Sequence, residues 1–399
     1  MATPLLRFPE FEGAWDEVCL GDLYPKIRNG FVGTATPYYR EIGTLYLQGK
    51  NVKDGELKLD DVIFISEAFH NKQKKSQLQS NDLVMVQSGH VGECAVVTDK
   101  FEGANCHALV VLSPSKDIDS RFYKGYFYSP SGKKHIYKIK TGNTVVHILT
   151  TDLKPLIVPL PCSGEQKKIA DFLSAVDEKI RLLKEKQALL QQYKKGVMQK
   201  LFRQEIRFKD DNGQAFPDWS DTPVGEFMTE SKVLGSKGDQ AKKLTVKLWG
   251  KGVFSKDESQ KGSENTQYYT RSSGQFIYSK LDFLNCAFGI VPEELDGYES
   301  TVDLPCFDVA PSINKYFILE YIKQKRFYKK FGDMADGSRK AKRIHAKDFL
   351  SFIVELPSES EQQKIAEFLQ ALDTKLDAVQ QQIELTQTFK KGLLQKMFV

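Results

Sequence analysis

The residues best suited to chemistry in this chain are cations set among aromatic rings and glycines. Lys323, Arg326 and Lys330, with Lys325 and Lys329 between them, alternate with Phe327, Tyr328 and Phe331. Shortly after comes Gly337-Ser338-Arg339-Lys340-Ala341-Lys342-Arg343. A glycine-led loop with two arginines suits phosphate contact, and a guanidinium fork also matches the acceptor pair on a guanine edge. The first half holds a similar group: Lys133, Lys134, Lys138 and Lys140, followed by the polar Asn143 and Thr144. Lys74 and Lys75 lie in a polar loop, and Ser88 and His90 lie in Gln87-Ser88-Gly89-His90-Val91-Gly92. These glycines lack the Lys-Ser/Thr of a phosphate-binding P-loop, so a tight hairpin competes with base contact there. For any single lysine, a solvated face over core aromatics is the competing reading.

Charge is concentrated where these residues sit. The chain carries +5 overall, yet residues 121–147 hold six Lys or Arg and no acid, and residues 323–347 hold ten against Asp333 and Asp336. Those windows carry +6 and +8, so 5 − 14 leaves −9 for the remainder. Two anion-binding faces follow, one per half. Catalytic constellations are weaker. Pro217-Asp218 and Glu230-Ser231-Lys232 match a PD-(x)n-ExK nuclease pattern whose acids would hold a divalent metal. The corresponding Pro9-Glu10 in the first half has no such sequel. No N/D-P-P-Y/F methyltransferase motif occurs, and no glycine-rich cofactor loop follows a strand. The six cysteines form no CxxC pair and read as reduced, mostly buried thiols of a cytoplasmic protein. No apolar run approaches the roughly 20 residues of a bilayer span, and no signal peptide is visible at the N-terminus.

The elements that must position these groups are repeated. Glu165–Phe202 recurs as Glu361–Phe398 at a constant offset of 196, with 18 of 38 positions identical. The identities cluster at the ends, EQxKIAxFLxAxDxK and KKGxxQKxF. Apolar positions run Ile169, Leu173, Val176, Ile180, Leu183 in one copy and Ile365, Leu369, Leu372, Leu376, Val379 in the other. This 3.5-residue period specifies a left-handed coiled-coil seam. At ~1.5 Å per residue each helix spans roughly 55–60 Å. Ser163 and Ser358 are candidate helix caps behind a proline. Gly196 and Gly392 lie inside the helices, where glycine costs about 1 kcal/mol; close helix approach, partner docking and a helix break are the open explanations.

The repeat extends beyond the helices. Phe8, Trp15 and Leu20-Gly21 correspond to Phe208, Trp219 and Val224-Gly225. The intervening regions are rich in short β runs, such as Asp82–Val86 and Ala108–Leu112, or Leu244–Leu248 and Gln275–Tyr278, and Tyr316–Phe331 reads as a basic-faced helix. The expected fold is α+β: two mixed globular domains separated by two long antiparallel coiled-coil helices with pseudo-two-fold symmetry, a rod with a domain at each end. The expected boundaries are 1–156, 157–205 (first helical region), 206–352 and 353–399 (second helical region).

The opening LxFPEFxxxW and the closing IxxPLPxxxEQxKIAxFLxxxDxxI, used twice across essentially the whole chain, resemble the specificity (S) subunit of type I restriction–modification systems. That resemblance implies a non-catalytic subunit whose two target-recognition domains each read half of a bipartite, asymmetric sequence in double-stranded DNA. The helices would act as a ruler and dock two methyltransferase (M) subunits; restriction (R) subunits join that core. It implies no cofactor or metal on this chain, S-adenosylmethionine on the M subunits, and ATP with Mg on the R subunits. Seam packing does not require the polar identities at the helix ends, where the other subunits or the globular domains are expected to dock: Gln166, Lys168, Lys194, Lys195 and Gly196, and Gln362, Lys364, Lys390, Lys391 and Gly392.

Overall fold

The protein was analysed as a computed structural model, which describes residues 3–141, 146–256, 263–332 and 343–399. It divides into two compact units, Met1–Lys186 with Val379–Val399, and Gln187–Ala378. The divisions fall inside the long helices, so each unit contains the start of its own repeated helix and the end of the other.

In the first unit, β1 (Asp16–Cys19) pairs antiparallel with the strand that leads into the long helix. The main sheet uses β2 (Lys26–Asn29), β3 (Leu83–Val86), β4 (Cys94–Val96) and β5 (Leu109–Ser113) in the order β2-β5-β3-β4, antiparallel throughout. Leu109–Leu112 and Leu83–Val86 are fully buried runs, which is why they show no alternation in sequence. Helices α1 (Ser120–Tyr128) and α2 (Pro130–Ile139) follow. The turn between them is set by Ser129, whose Oγ accepts from the Gly132 N–H at 3.1 Å, with Pro130 at the first helical position. Gly132 is required there: a Cβ would lie 2.1 Å from the Tyr126 carbonyl oxygen. Strand β6 (Ile157–Leu160) then pairs with β1, Asp16 opposite Leu160, and leads into α3 (Ser163–Phe202).

The second unit repeats the plan. Strand β7 (Ser220–Pro223) is the counterpart of β1. The sheet contains β8 (Met228–Ser231), β11 (Phe276–Tyr278), β12 (Phe288–Ile290) and β13 (Cys306–Val309) in the order β8-β13-β11-β12. Numbered within each unit, both sheets run first-fourth-second-third. A hairpin of β9 (Leu244–Lys247) and β10 (Gly252–Ser255) lies outside that sheet. Helices α4 (Lys315–Ile322) and α5 (Lys325–Gly332) replace the single helix expected over Tyr316–Phe331. The break at Lys323-Gln324 lets Phe317 and Tyr321 on one helix and Phe327 and Phe331 on the other enter the same core. Strand β14 (Ile353–Leu356) pairs with β7 and precedes α6 (Glu359–Lys396).

Burial along α3 and α6 follows the 3.5-residue period: every seam position from Ile169 to Leu201 and from Ile365 to Met397 is buried or half-buried. In the first unit Leu173, Val176 and Ile180 share a core with Leu393, Met397 and Phe398 of α6. In the second, Leu369 and Leu372 share one with Leu201 and Phe202 of α3. Burying each such side chain stabilises by about 1.5–3 kcal/mol. Ser358 caps α6, its Oγ 3.4 Å from the Glu361 N–H. Ser163 does not cap α3: the helix starts at Ser163 itself and the Gln166 N–H bonds the Cys162 carbonyl. All six cysteines are free, four of them buried; burial pushes Cys94 and Cys106 up to about 12, which suppresses their reactivity. Among the described residues no helix is long and apolar enough to cross a membrane.

Candidate nucleic-acid interface

Three surfaces carry the basic residues singled out from sequence. On α2, Lys133, Lys134 and Lys138 are exposed, as is Tyr137 between them, while Ile136 points into the core. The Gln87–Gly92 turn packs beneath this helix: Gly92, at φ +94°, would place a Cβ 2.8 Å from Ile136. Lys133, Tyr137 and Lys140 line a cavity of about 280 Å³ with Val91 and Gly92. His90 at the turn is exposed, and Ser88 bridges to His147. The structure therefore brings α2, the glycine turn and His147 to one place. On the ring side, His135 accepts or donates with the Tyr126 hydroxyl at 2.6 Å. Burial lowers its pKa, with Lys138 and Lys134 adding to the shift.

Lys74 and Lys75 lie elsewhere. They line a separate basic cleft of about 370 Å³ with Lys26, Arg28, Gln77 and Gln79. Its floor is built from buried polar groups: Arg28 Nη2 reaches Asp82 at 3.2 Å and Nη1 the Ser113 hydroxyl at 2.5 Å. Lys26 and Arg28 escaped the sequence reading because they are isolated in sequence; only β2 aligns them with the Lys74–Lys75 loop.

In the second unit α5 exposes Lys325, Lys329 and Lys330 and buries Phe327 and Phe331. Arg326, expected on the DNA, is also exposed, although its Nη2 donates to the Phe202 carbonyl at 2.6 Å and its guanidinium lies over Tyr321. Lys323 is half-buried and paired with Glu320 at 2.5 Å. Arg343 is exposed. Ser338, Arg339, Lys340 and Lys342, with Asn143 and Thr144 of the first half, lie outside the described residues. A further run, Lys242 to Lys256, contains five lysines and no acid on the β9–β10 hairpin; the shortness of that window hid it behind the larger ones.

The candidate docking residues separate into two sets. Glu165 (1% exposed) accepts from Arg7 at 2.7 and 2.8 Å and from the Trp15 indole at 3.0 Å. Glu361 does the same with Arg207 at 3.1 and 2.7 Å and Trp219 at 3.1 Å. These hydrogen bonds raise the pKa of both arginines. Gln166 and Gln362 are buried too. Each accepts from the backbone N–H at the cap of a globular-domain helix, Asp119 or Asn314, and donates to a preceding proline carbonyl. Lys168 pairs with Glu10 over the Phe8 ring, and Lys364 pairs with Asp211 at 2.6 Å over Phe216. The EQxK identities thus tie each helix to its own globular domain. Lys390 meets Asp177 at 2.5 Å inside the first unit, and Lys194 meets Asp373 at 2.5 Å inside the second. These are the same two repeat positions used twice.

The remaining candidates are the exposed Lys195 and Lys391, with the half-buried Gly196 and Gly392 beside them. Both helices run unbroken through these glycines, and a Cβ at either would meet nothing within 4 Å. Neither a helix break nor close approach among the described residues accounts for them.

The nuclease pattern finds little support in the geometry. Asp218 is fully exposed beside Arg207, and Glu230 pairs with Lys232 at 2.9 Å. Among the described residues no group of three or more His, Cys, Asp or Glu is arranged to hold a metal ion.

The family model for the type I restriction modification DNA specificity domain matches residues 12–192 and 303–387. A protein of Methanocaldococcus jannaschii, provisionally assigned as the type I restriction enzyme MjaX specificity subunit, is 24% identical over 403 residues, covering 95% of this chain and 92% of the relative. The type I restriction enzyme MjaVIII specificity subunit of the same organism is 28% identical over 178 residues, 43% of this chain and 42% of the relative. The crystal structure of the S subunit of a type I restriction-modification system from M. genitalium superposes with a TM-score of 0.57 at 17% identity, covering 100% of this chain and 99% of that one. Matching across most of its length, the chain belongs to the type I restriction–modification DNA specificity family, a recognition component rather than a catalyst.

Proposed function

We propose that this chain reads a split, asymmetric sequence in double-stranded DNA, one half-site per globular domain. The observation that carries this reading is the duplicated first-fourth-second-third sheet bearing unlike basic surfaces: α2 and its glycine turn in one unit, α5 and the β9–β10 hairpin in the other. Equal scaffolds with unlike reading surfaces fit two different half-sites. Arg339, Lys340, Lys342 and Arg343, with Ser338, and Asn143 with Thr144, are the proposed contacts at the two junctions before the helices.

The pairing of α3 and α6 would serve as the ruler. A helix of about 57–60 Å corresponds to about 17 base pairs at 3.4 Å each, so bases between the half-sites would be skipped. Two methyltransferase subunits would dock along the helices, where Lys195, Gly196, Lys391 and Gly392 remain available, and restriction subunits would join them. This chain would hold no cofactor; S-adenosylmethionine, ATP and Mg would come with the partners, in the cytoplasm where chromosomal DNA is found.

Selection of random-sequence duplexes by the assembled complex tests the reading. It predicts enrichment of a split motif, and replacing residues 206–350 by another reader domain changes one half-site only. Absence of any enriched split motif, or a change in both half-sites, would sink it.

A further inference from the structure

The β9–β10 hairpin presents an aromatic residue where backbone geometry opposes one. Lys247 pairs with Gly252, leaving a four-residue loop, Leu248-Trp249-Gly250-Lys251. Its two central residues are left-handed, Trp249 at φ +63° and Gly250 at φ +67°. That conformation costs a bulky side chain and nothing at glycine, so hairpin loops place Asn, Asp or Gly there. The conformation is held in place: the Trp249 N–H donates to the Asn285 carbonyl at 2.8 Å and the Gly250 N–H to the Cys286 carbonyl at 2.7 Å.

Packing does not account for the tryptophan. Its side chain is 62% exposed, and among the described residues no ring stacks on it. Leu248 beside it is 38% exposed. Strain at a largely exposed residue that belongs to no core cluster points to a use outside the folded chain.

The surroundings name the occupant. Lys247 and Lys251 flank the ring and are exposed, Lys256 follows, and Lys247 lies over Phe254 at 4.2 Å. From Lys242 to Lys256 there is no acid. The turn also abuts the second basic surface: a Cβ at Gly250 would lie 2.6 Å from the Lys323 side chain, just before α5. Apolar tips ringed by lysines match a duplex, with phosphates on either side of a stack of base faces.

We propose that Trp249, with Leu248, is a wedge that the second domain sets against the base stack of its half-site, while Lys247 and Lys251 hold the flanking phosphates. This rests on the DNA-reading function above and adds to it a specific reading residue. The test uses the chain assembled with its methyltransferase subunits and a duplex carrying the split motif that the wild type selects. Trp249→Asn suits the left-handed backbone, so the turn is kept while the ring is lost. It is expected to weaken binding about tenfold or more and to relax the half-site of the second domain alone. Trp249→Phe is expected to stay within about threefold. A 2-aminopurine placed in that half-site should brighten on binding wild type and stay dark with Trp249→Asn. Replacing Lys247 and Lys251 by Ala should lower the log–log salt slope by about 2.

Affinity of Trp249→Asn within twofold of wild type, or relaxation of both half-sites, overturns the wedge while leaving DNA reading intact. So does loss of methyltransferase assembly by light scattering with DNA contact unchanged, since the turn would then be a protein contact. A wild-type complex that selects no split motif removes the reading itself and the wedge with it.

Discussion

Replacing Glu165 by Ala should detach the start of α3 from its own globular domain, without any partner or DNA present. The carboxylate is buried and accepts three hydrogen bonds, two from Arg7 and one from Trp15. A hydrogen bond to a charged group contributes about 1.5–3 kcal/mol, and breaking a buried ion pair costs about 3–5 kcal/mol. Arg7 is 14% exposed and can recover water, whereas the Trp15 indole N–H is left buried and unpaired. The expected loss is therefore about 3–5 kcal/mol. For a unit of roughly 200 residues that shifts melting by about 10 °C. Arg7→Ala should cost a similar amount, because it strands a carboxylate with only the Trp15 donor. The double variant should cost far less than the sum. Chemical denaturation of the isolated chain, read with hydrogen exchange at the first turns of α3, measures this; the matching turns of α6 serve as the internal reference. A loss under about 1 kcal/mol for Glu165→Ala, or additive single variants, would refute the claim that this identity is a structural anchor.

Two further outcomes follow from local geometry. Gly196→Ala and Gly392→Ala place a methyl group in open space within helices, so each should stabilise the free chain by about 1 kcal/mol in thermal unfolding; destabilisation would show a contact the structure does not contain. If methyltransferase subunits rest on these positions, the same variants should weaken assembly while improving stability. Burial lowers the pKa of His107 and of His135, so the folded state resists protonation that the unfolded chain accepts near pH 6.5. Stability is then full above about pH 6.5 and falls as pH drops below it. Urea midpoints between pH 7 and 5 check this, and His135→Gln should flatten the decline; an unchanged slope would place the loss elsewhere.

The long helices, their buried stripe and their duplication were legible in the sequence, because a 3.5-residue apolar period and a gapless 196-residue offset are local, one-dimensional signals. So were some of the sheet strands: Leu83–Val86 and Leu109–Ser113 are apolar enough to announce burial. The break between α4 and α5 was not, since it depends on four aromatic side chains meeting one core from two directions.

The polar identities of EQxK show the division most clearly. Sequence established that they repeat and that a seam does not need them, which left docking of other subunits and docking of the globular domains as the two uses. The fold shows Glu165, Lys168 and their second copies turned toward residues some 150 positions away in their own units, and Gln166 and Gln362 toward caps nearly 50 positions away. Partners that distant leave no periodicity to read. The same holds for the basic surfaces: sequence counts charges, but β2 sets Lys26 and Arg28 beside Lys74, and the Phe202 carbonyl ties down Arg326 while Lys323 is held by Glu320. Composition and period determined that this chain has two alike halves, each with a basic window and a long helix. Only tertiary packing decided which cations face solvent, because that depends on which backbone carbonyls and carboxylates the fold brings within reach.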